Sequence, residues 1–118
     1  MRCSVKAVLL AAGFLFAGLS QAGAPPGAWV VVSLDHIEIT PSQGWFVHEG
    51  VWFVNPTPHQ TQFNCTKSIY VGIADTTMAN RALSVALYAK SSGGAMKVYV
   101  TGCDSEGGLI GSSVMLLN

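Results

Sequence analysis

A chain of 118 residues is long enough for one domain and too short for two. Half of its residues are apolar and only 10% are charged, six basic against six acidic. Such a balance offers no basic face to a phosphate backbone, so nucleic acid is excluded as a partner.

The apolar excess is partly concentrated at the start. Arg2 and Lys6 precede AVLLAAGFLFAGL (7–19), a run without acidic residues, and SQAGAPP follows. A charged n-region, an apolar h-region and a small-residue cleavage site make up a secretory signal peptide. The run is shorter than the ~20 residues a bilayer span needs, and it lacks the polar stripe a core helix would carry. Cleavage is expected after Ala22, with Ser20 at −3, because a cut after Ala24 would leave Pro25 beside the scissile bond. The expectation is therefore a signal peptide over 1–22 and a single domain over 23–118, periplasmic or secreted, without membrane insertion. That domain keeps Lys67, Arg81, Lys90 and Lys97 against Asp35, Glu38, Glu49, Asp75, Asp104 and Glu106, two negative charges in excess.

Cys3 lies in the signal segment. Cys65 and Cys103 are left together in an oxidising compartment, where a disulfide is the default. Closing a loop of that length stabilises by roughly 4 kcal/mol in the chain-entropy description, a structural role.

After the loop GAPPG comes AWVVVSLDHIEIT (28–40), rich in β-branched residues. Val30, Val32 and Leu34 share one parity and Ile37 and Ile39 the other, so a strand keeping both sets inward needs an extra residue near Asp35–His36. PSQG (41–44) is a turn that opens into a second strand, WFVHEGVWFVNP (45–56), where Gly50 marks a bend or a close backbone approach. NPTPHQTQFN (55–64) is a loop, and KSIYVGI (67–73) a third strand. The period then changes: Met78, Ala82, Val85, Ala86 and Ala89 recur at helical spacing. Asp75 or Thr76 caps this helix, Lys90 sits in its last turn and Gly93–Gly94 stop it. Its narrow polar face is flanked by Leu87 and Tyr88, a candidate oligomer surface. AMKVYVTGC (95–103) alternates cleanly, with Met96, Val98 and Val100 inward and Lys97, Tyr99 and Thr101 outward. DSEGG is a turn, and LIGSSVMLLN (109–118) the last strand.

The order β-β-β-α-β-β, with a bent first strand that serves two sheets, is that of an all-β domain with one helix: a five-stranded OB-fold-like barrel. In such a barrel strand five runs parallel to strand three, and strand four returns beside it. The end of strand four then lies near the start of strand three, the places of Cys103 and Cys65.

The block NRALSVALYAKSSGGAMKVYVTGCDSEG (80–107) carries an LxxALxAxxSG-like helix end running into the KVYVTGC strand. In this it resembles small exported bacterial proteins that are similar to the binding (B) subunits of subtilase-cytotoxin-type toxins. The resemblance implies the fold and disulfide above, a homopentamer with helices around a central pore, and recognition of host glycans. It matches no sugar-contacting residue to a position of this chain.

No HExxH, GxSxG, phosphate loop or CxxC is present, so neither an enzyme nor a cofactor is expected. Asp35, His36 and Glu38 lie near the expected bulge. His36 and Glu38 share a strand face on which His48 of the next strand would complete a metal cluster, but they read as solvent-facing polar residues of an antiparallel pair. OB barrels bind oligosaccharides at the loops between strands one and two and between strands four and five. Ser42, Gln43 and Trp45 in the first, and Asp104 and Ser105 in the second, are the ligand-binding candidates. A flat aromatic beside hydroxyl and amide groups suits a sugar, and the lack of cations nearby suits a neutral one. The leading expectation is a carbohydrate-binding module, a candidate homo-oligomer. The alternative is a periplasmic protein-interaction or inhibitor domain that uses a loop or sheet edge.

Overall fold

The computed structural model describes residues 26–41 and 49–118; the signal segment expected over 1–22 lies outside them. The chain forms β1 (Ala28–Val32), β2 (Ile37–Thr40), β3 (Gly50–Val54), β4 (Tyr70–Ile73), α1 (Thr76–Ser92), β5 (Ala95–Cys103) and β6 (Leu109–Leu117). One six-stranded sheet results, in the order β1-β5-β6-β4-β3-β2. β4 and β6 pair in parallel, and every other neighbouring pair is antiparallel.

Five strands closing into a barrel are expected; among the described residues six form an open ladder, because strand one is divided. The change of parity is real, but the chain makes it by leaving the sheet and not by a one-residue bulge. The Ser33 amide donates to Asn55 Oδ1 at 2.9 Å, the Asp35 amide to Ser33 Oγ at 3.2 Å, and the Val54 amide to the His36 carbonyl at 3.0 Å. Side-chain bonds stand in for ladder bonds at Ser33 and Asp35, and the Val54–His36 bond is already in the register of the β2–β3 pair, where Ile37 lies opposite Phe53. Lys90 of α1 reaches this turn, 2.9 Å from Asp35. As an exposed pair it adds little.

The two edges of the sheet are consecutive pieces of chain. Six flat strands would hold them about 24 Å apart at the usual spacing, whereas the link from Val32 to Ile37 spans at most about 18 Å fully extended. The sheet is therefore curled. Its concave face gathers Val30 and Val32, Val51 and Phe53, Val71 and Ile73, Met96, Val98 and Val100, and Leu109 into one core. Ile37 and Leu34 pack on its margin. Ile39, expected inward, is 68% exposed at the rim of the sheet. The third strand starts at Tyr70 and not at Lys67, since residues 66–69 form a turn.

The helix is capped as its sequence demands. Asp75 accepts from the Met78 amide at 2.8 Å, and Gly93 takes the left-handed conformation at the other end (φ 78°). Ala79, Ala82, Ala86 and Ala89 form its buried stripe. Side chains that end at Cβ let the helix axis approach the sheet closely, with Met78, Leu83 and Val85 packed alongside. Of the residues expected at helical spacing, Ala82, Ala86 and Ala89 are buried and Met78 and Val85 flank them, while Ala79 is the added member of the stripe.

Trp52 points to the convex face, opposite its neighbours Val51 and Phe53, and is still only 2% exposed. Its ring lies across Gly72, the directly opposing residue, where any Cβ would meet it. Its indole N–H donates to Thr40 Oγ1 at 3.0 Å. Gly50 is a close backbone approach, as its place in the strand suggested: a Cβ there would strike the Ile73 carbonyl.

Candidate functional site

Cys65 and Cys103 form the expected disulfide, with Cα atoms 5.4 Å apart. It clips the end of β5 to the turn before β4. The DSEGG loop begins at the next residue and is held by its own aspartate. Asp104 Oδ1 accepts from the Glu106 amide at 2.8 Å and the Gly108 amide at 2.9 Å, while the Asp104 amide donates to the Gly108 carbonyl at 2.8 Å. The Gly107 carbonyl accepts from the Lys67 amide at 2.9 Å, so the loop is seated on the turn that Cys65 opens. Gly107 has φ 98° and abuts Thr66, so no side chain fits there. Of the candidates on this loop, Asp104 spends its Oδ1 on the loop itself and Ser105 is exposed.

The other loop candidates, Ser42, Gln43 and Trp45, lie outside the described residues, as does His48. His36 Nε2, just before β2, and Glu38 Oε2 on it stand 2.8 Å apart. Among the described residues no three His, Cys, Asp or Glu side chains converge. Leu87 and Tyr88 are 55% and 58% exposed on the outer face of α1, where the sequence put them.

The structure brings together an aromatic pair that loop-based reasoning missed. Trp29 of β1 and Tyr99 of β5 are direct cross-strand partners on the convex face, ring centroids 5.2 Å apart and planes tilted by 59°. Ser113 of β6 completes that row, and Val31, Lys97 and Met115 form the next one. Tyr99 is fixed at its tip, where the hydroxyl accepts from the Gly27 amide at 2.8 Å. Trp29 is 40% exposed, and Thr101, Ser112 and Ser113 supply exposed hydroxyls along the same strands. The signal was present in AWVVV: with Val30 and Val32 inward, Trp29 and Val31 must face out. What no local pattern shows is that Tyr99, seventy positions away, stands beside Trp29.

His59, in the loop before the disulfide, is half-buried, and its Nε2 is enclosed without a partner among the described residues. Desolvation holds its pKa below the ordinary 6.5. The unfolded chain therefore binds the proton more readily than the folded one. The contribution of neutral His59 to stability is full above about pH 6.5 and is lost as the pH falls through the lower folded-state value. Thermal melts should show a lower midpoint at pH 5 than at pH 7.5. His59→Leu should narrow that gap; an unchanged gap would assign it to other groups.

No helix among the described residues is long and apolar enough to cross a membrane. No protein-family profile, curated protein or solved structure matches the chain.

Proposed function

We propose that the chain is an exported, non-catalytic binding module of OB-like build that takes carbohydrate, in keeping with its resemblance over 80–107 to toxin B subunits. The strand order supports the OB-like reading. If β1 and β2 count as two halves of one strand, the sheet order and its parallel pair are those expected of that barrel. The observation that carries the ligand class is the exposed Trp29 ring, braced by Tyr99 and bordered by Ser113 and Thr101. A pyranose has an apolar face to lie on an indole and a hydroxyl rim to meet such neighbours. The surface around it carries Lys97 as its one charge among the described residues of those two rows, which suits a neutral ligand.

A glycan array tests the reading. Wild-type protein is expected to retain a defined set of glycans, and Trp29→Ala to weaken their binding about tenfold or more, the value of one buried aromatic contact. Because Trp29 lies outside the core, the variant should melt like wild type. An array without any binder would sink the carbohydrate reading.

A protein ligand is the second reading, and β1 favours it. It is an edge strand of five residues without charge or proline, the kind of edge that pairs with another chain. Self-association through Leu87 and Tyr88 belongs to the same proposal. Light scattering that shows only monomer would remove it.

A further inference from the structure

We infer that the groove between the first turns of α1 and the start of β6 is a second ligand site, one that holds a single neutral sugar unit through Asp75 and Arg81. The inference rests on the carbohydrate reading but uses none of the residues that carry it. The groove measures about 490 Å³, and Asp75, Thr77, Met78, Arg81, Ile110 and Ser112 are among its walls. That volume lies within the ordinary range of small-molecule sites, roughly 300–1,000 Å³.

Helical spacing places Thr77 and Arg81 one turn apart, with Met78 next to them, so one helix face lines one wall. Asp75 commits Oδ1 to the Met78 amide and leaves Oδ2 without a partner among the described residues. The Arg81 guanidinium makes no ion pair there either. Ile110, 41% exposed, gives the groove an apolar strip.

The opposite wall is shaped by an irregularity in β6. Tyr99 pairs with Ser113, but the next residue, Val100, pairs with Gly111, so Ser112 is an extra residue. A bulge of this kind re-aims a side chain. The Ser112 hydroxyl donates to the Tyr99 carbonyl at 3.4 Å while lining the groove. The groove therefore adjoins the strand that carries the aromatic face.

The side-chain set selects the ligand. One carboxylate and one guanidinium cancel, so neither an anion nor a cation is drawn in, and exposed ion pairs would reward a charged ligand little. Vicinal hydroxyls can donate to Asp75 and to the Ser112 oxygen, whose own proton goes to Tyr99, and accept from Arg81 and the Thr77 hydroxyl. The C–H face of the same ring can rest on Ile110 and Met78.

The experiment is amide NMR titration of the full exported protein with methyl glycosides of galactose, glucose and N-acetylglucosamine, and with glucuronate as the charged control. At least one neutral glycoside is expected to shift Thr77, Met78, Arg81 and Ile110–Ser112 together. Asp75→Asn, which keeps the helix cap, and Arg81→Met should each weaken that binding about tenfold or more, with melting unchanged. Trp29→Ala should leave it intact. Absence of shifts with every glycoside, binding unaffected by both groove variants, or stronger binding of glucuronate would overturn the assignment. A protein that retains array glycans yet shows no groove shifts keeps the carbohydrate reading and loses this site alone.

Discussion

Replacing Cys65 and Cys103 together by alanine is expected to lower the unfolding free energy by about 2–5 kcal/mol, and the melting midpoint by roughly 10 °C or more for a domain of this size. The bridge spans 38 positions of sequence and restrains a large loop of the unfolded chain. In the folded state it fixes two segments that have little else in common: the turn at residues 66–69 and the DSEGG loop. Without it, those segments are held together by the Lys67–Gly107 bond, the Thr66–Gly107 contact and the short β4–β6 pairing that follows them. Urea unfolding followed by tryptophan fluorescence measures the loss, and wild-type protein in reductant should approach the double variant. Coincident midpoints for all three samples would mean that the bridge contributes nothing beyond the contacts around it.

Phe53→Ala is expected to cost about 3–5 kcal/mol, the range for deleting a large buried aromatic side chain. Among the described residues Phe53 is the largest fully buried side chain, the fourth of the five residues of β3, and it faces the alanine stripe side of the sheet. Helix and sheet cannot both move into the space it would leave, because β3 is pinned between β2 and β4. The contrast with Trp29→Ala is itself a test of the fold. Both remove an aromatic ring from a strand, yet only the Phe53 change should shift the denaturant midpoint strongly. Comparable losses in the two variants would contradict the inward and outward faces described for β1 and β3.

Much of this architecture was legible because its determinants are local. The helix announces itself through Asp75, Gly93 and the alanines between them, and β5 was bounded correctly at both ends by a simple alternation of Met96, Val98 and Val100. The disulfide followed from elimination. The division of strand one was half legible: the parity change between Val32 and Ile37 shows that something intervenes, but a single extra residue and a four-residue departure change parity alike. In the run VWFV, no periodicity tells which aromatic ring faces the core, since both Trp52 and Phe53 are buried, on opposite faces. Asp104 illustrates a different gap. An aspartate followed by a glycine-rich turn often bonds to the turn's own amides, and that signal pointed to a loop-forming role beside the ligand-binding one. The Trp29–Tyr99 pair and the Ser112 bulge depend on register between distant strands, which no window along the chain contains.

The division of strand one also sets when the protein can fold. β1 finds its partner in β5, with Ala28 opposite Val100. A chain that appears N-terminus first therefore offers AWVVV no ladder until nearly all of it has emerged. Pairings this distant in sequence fold slowly. The first strand formed in sequence is thus among the last to be secured, and the chain stays open until its C-terminal third arrives to complete the sheet.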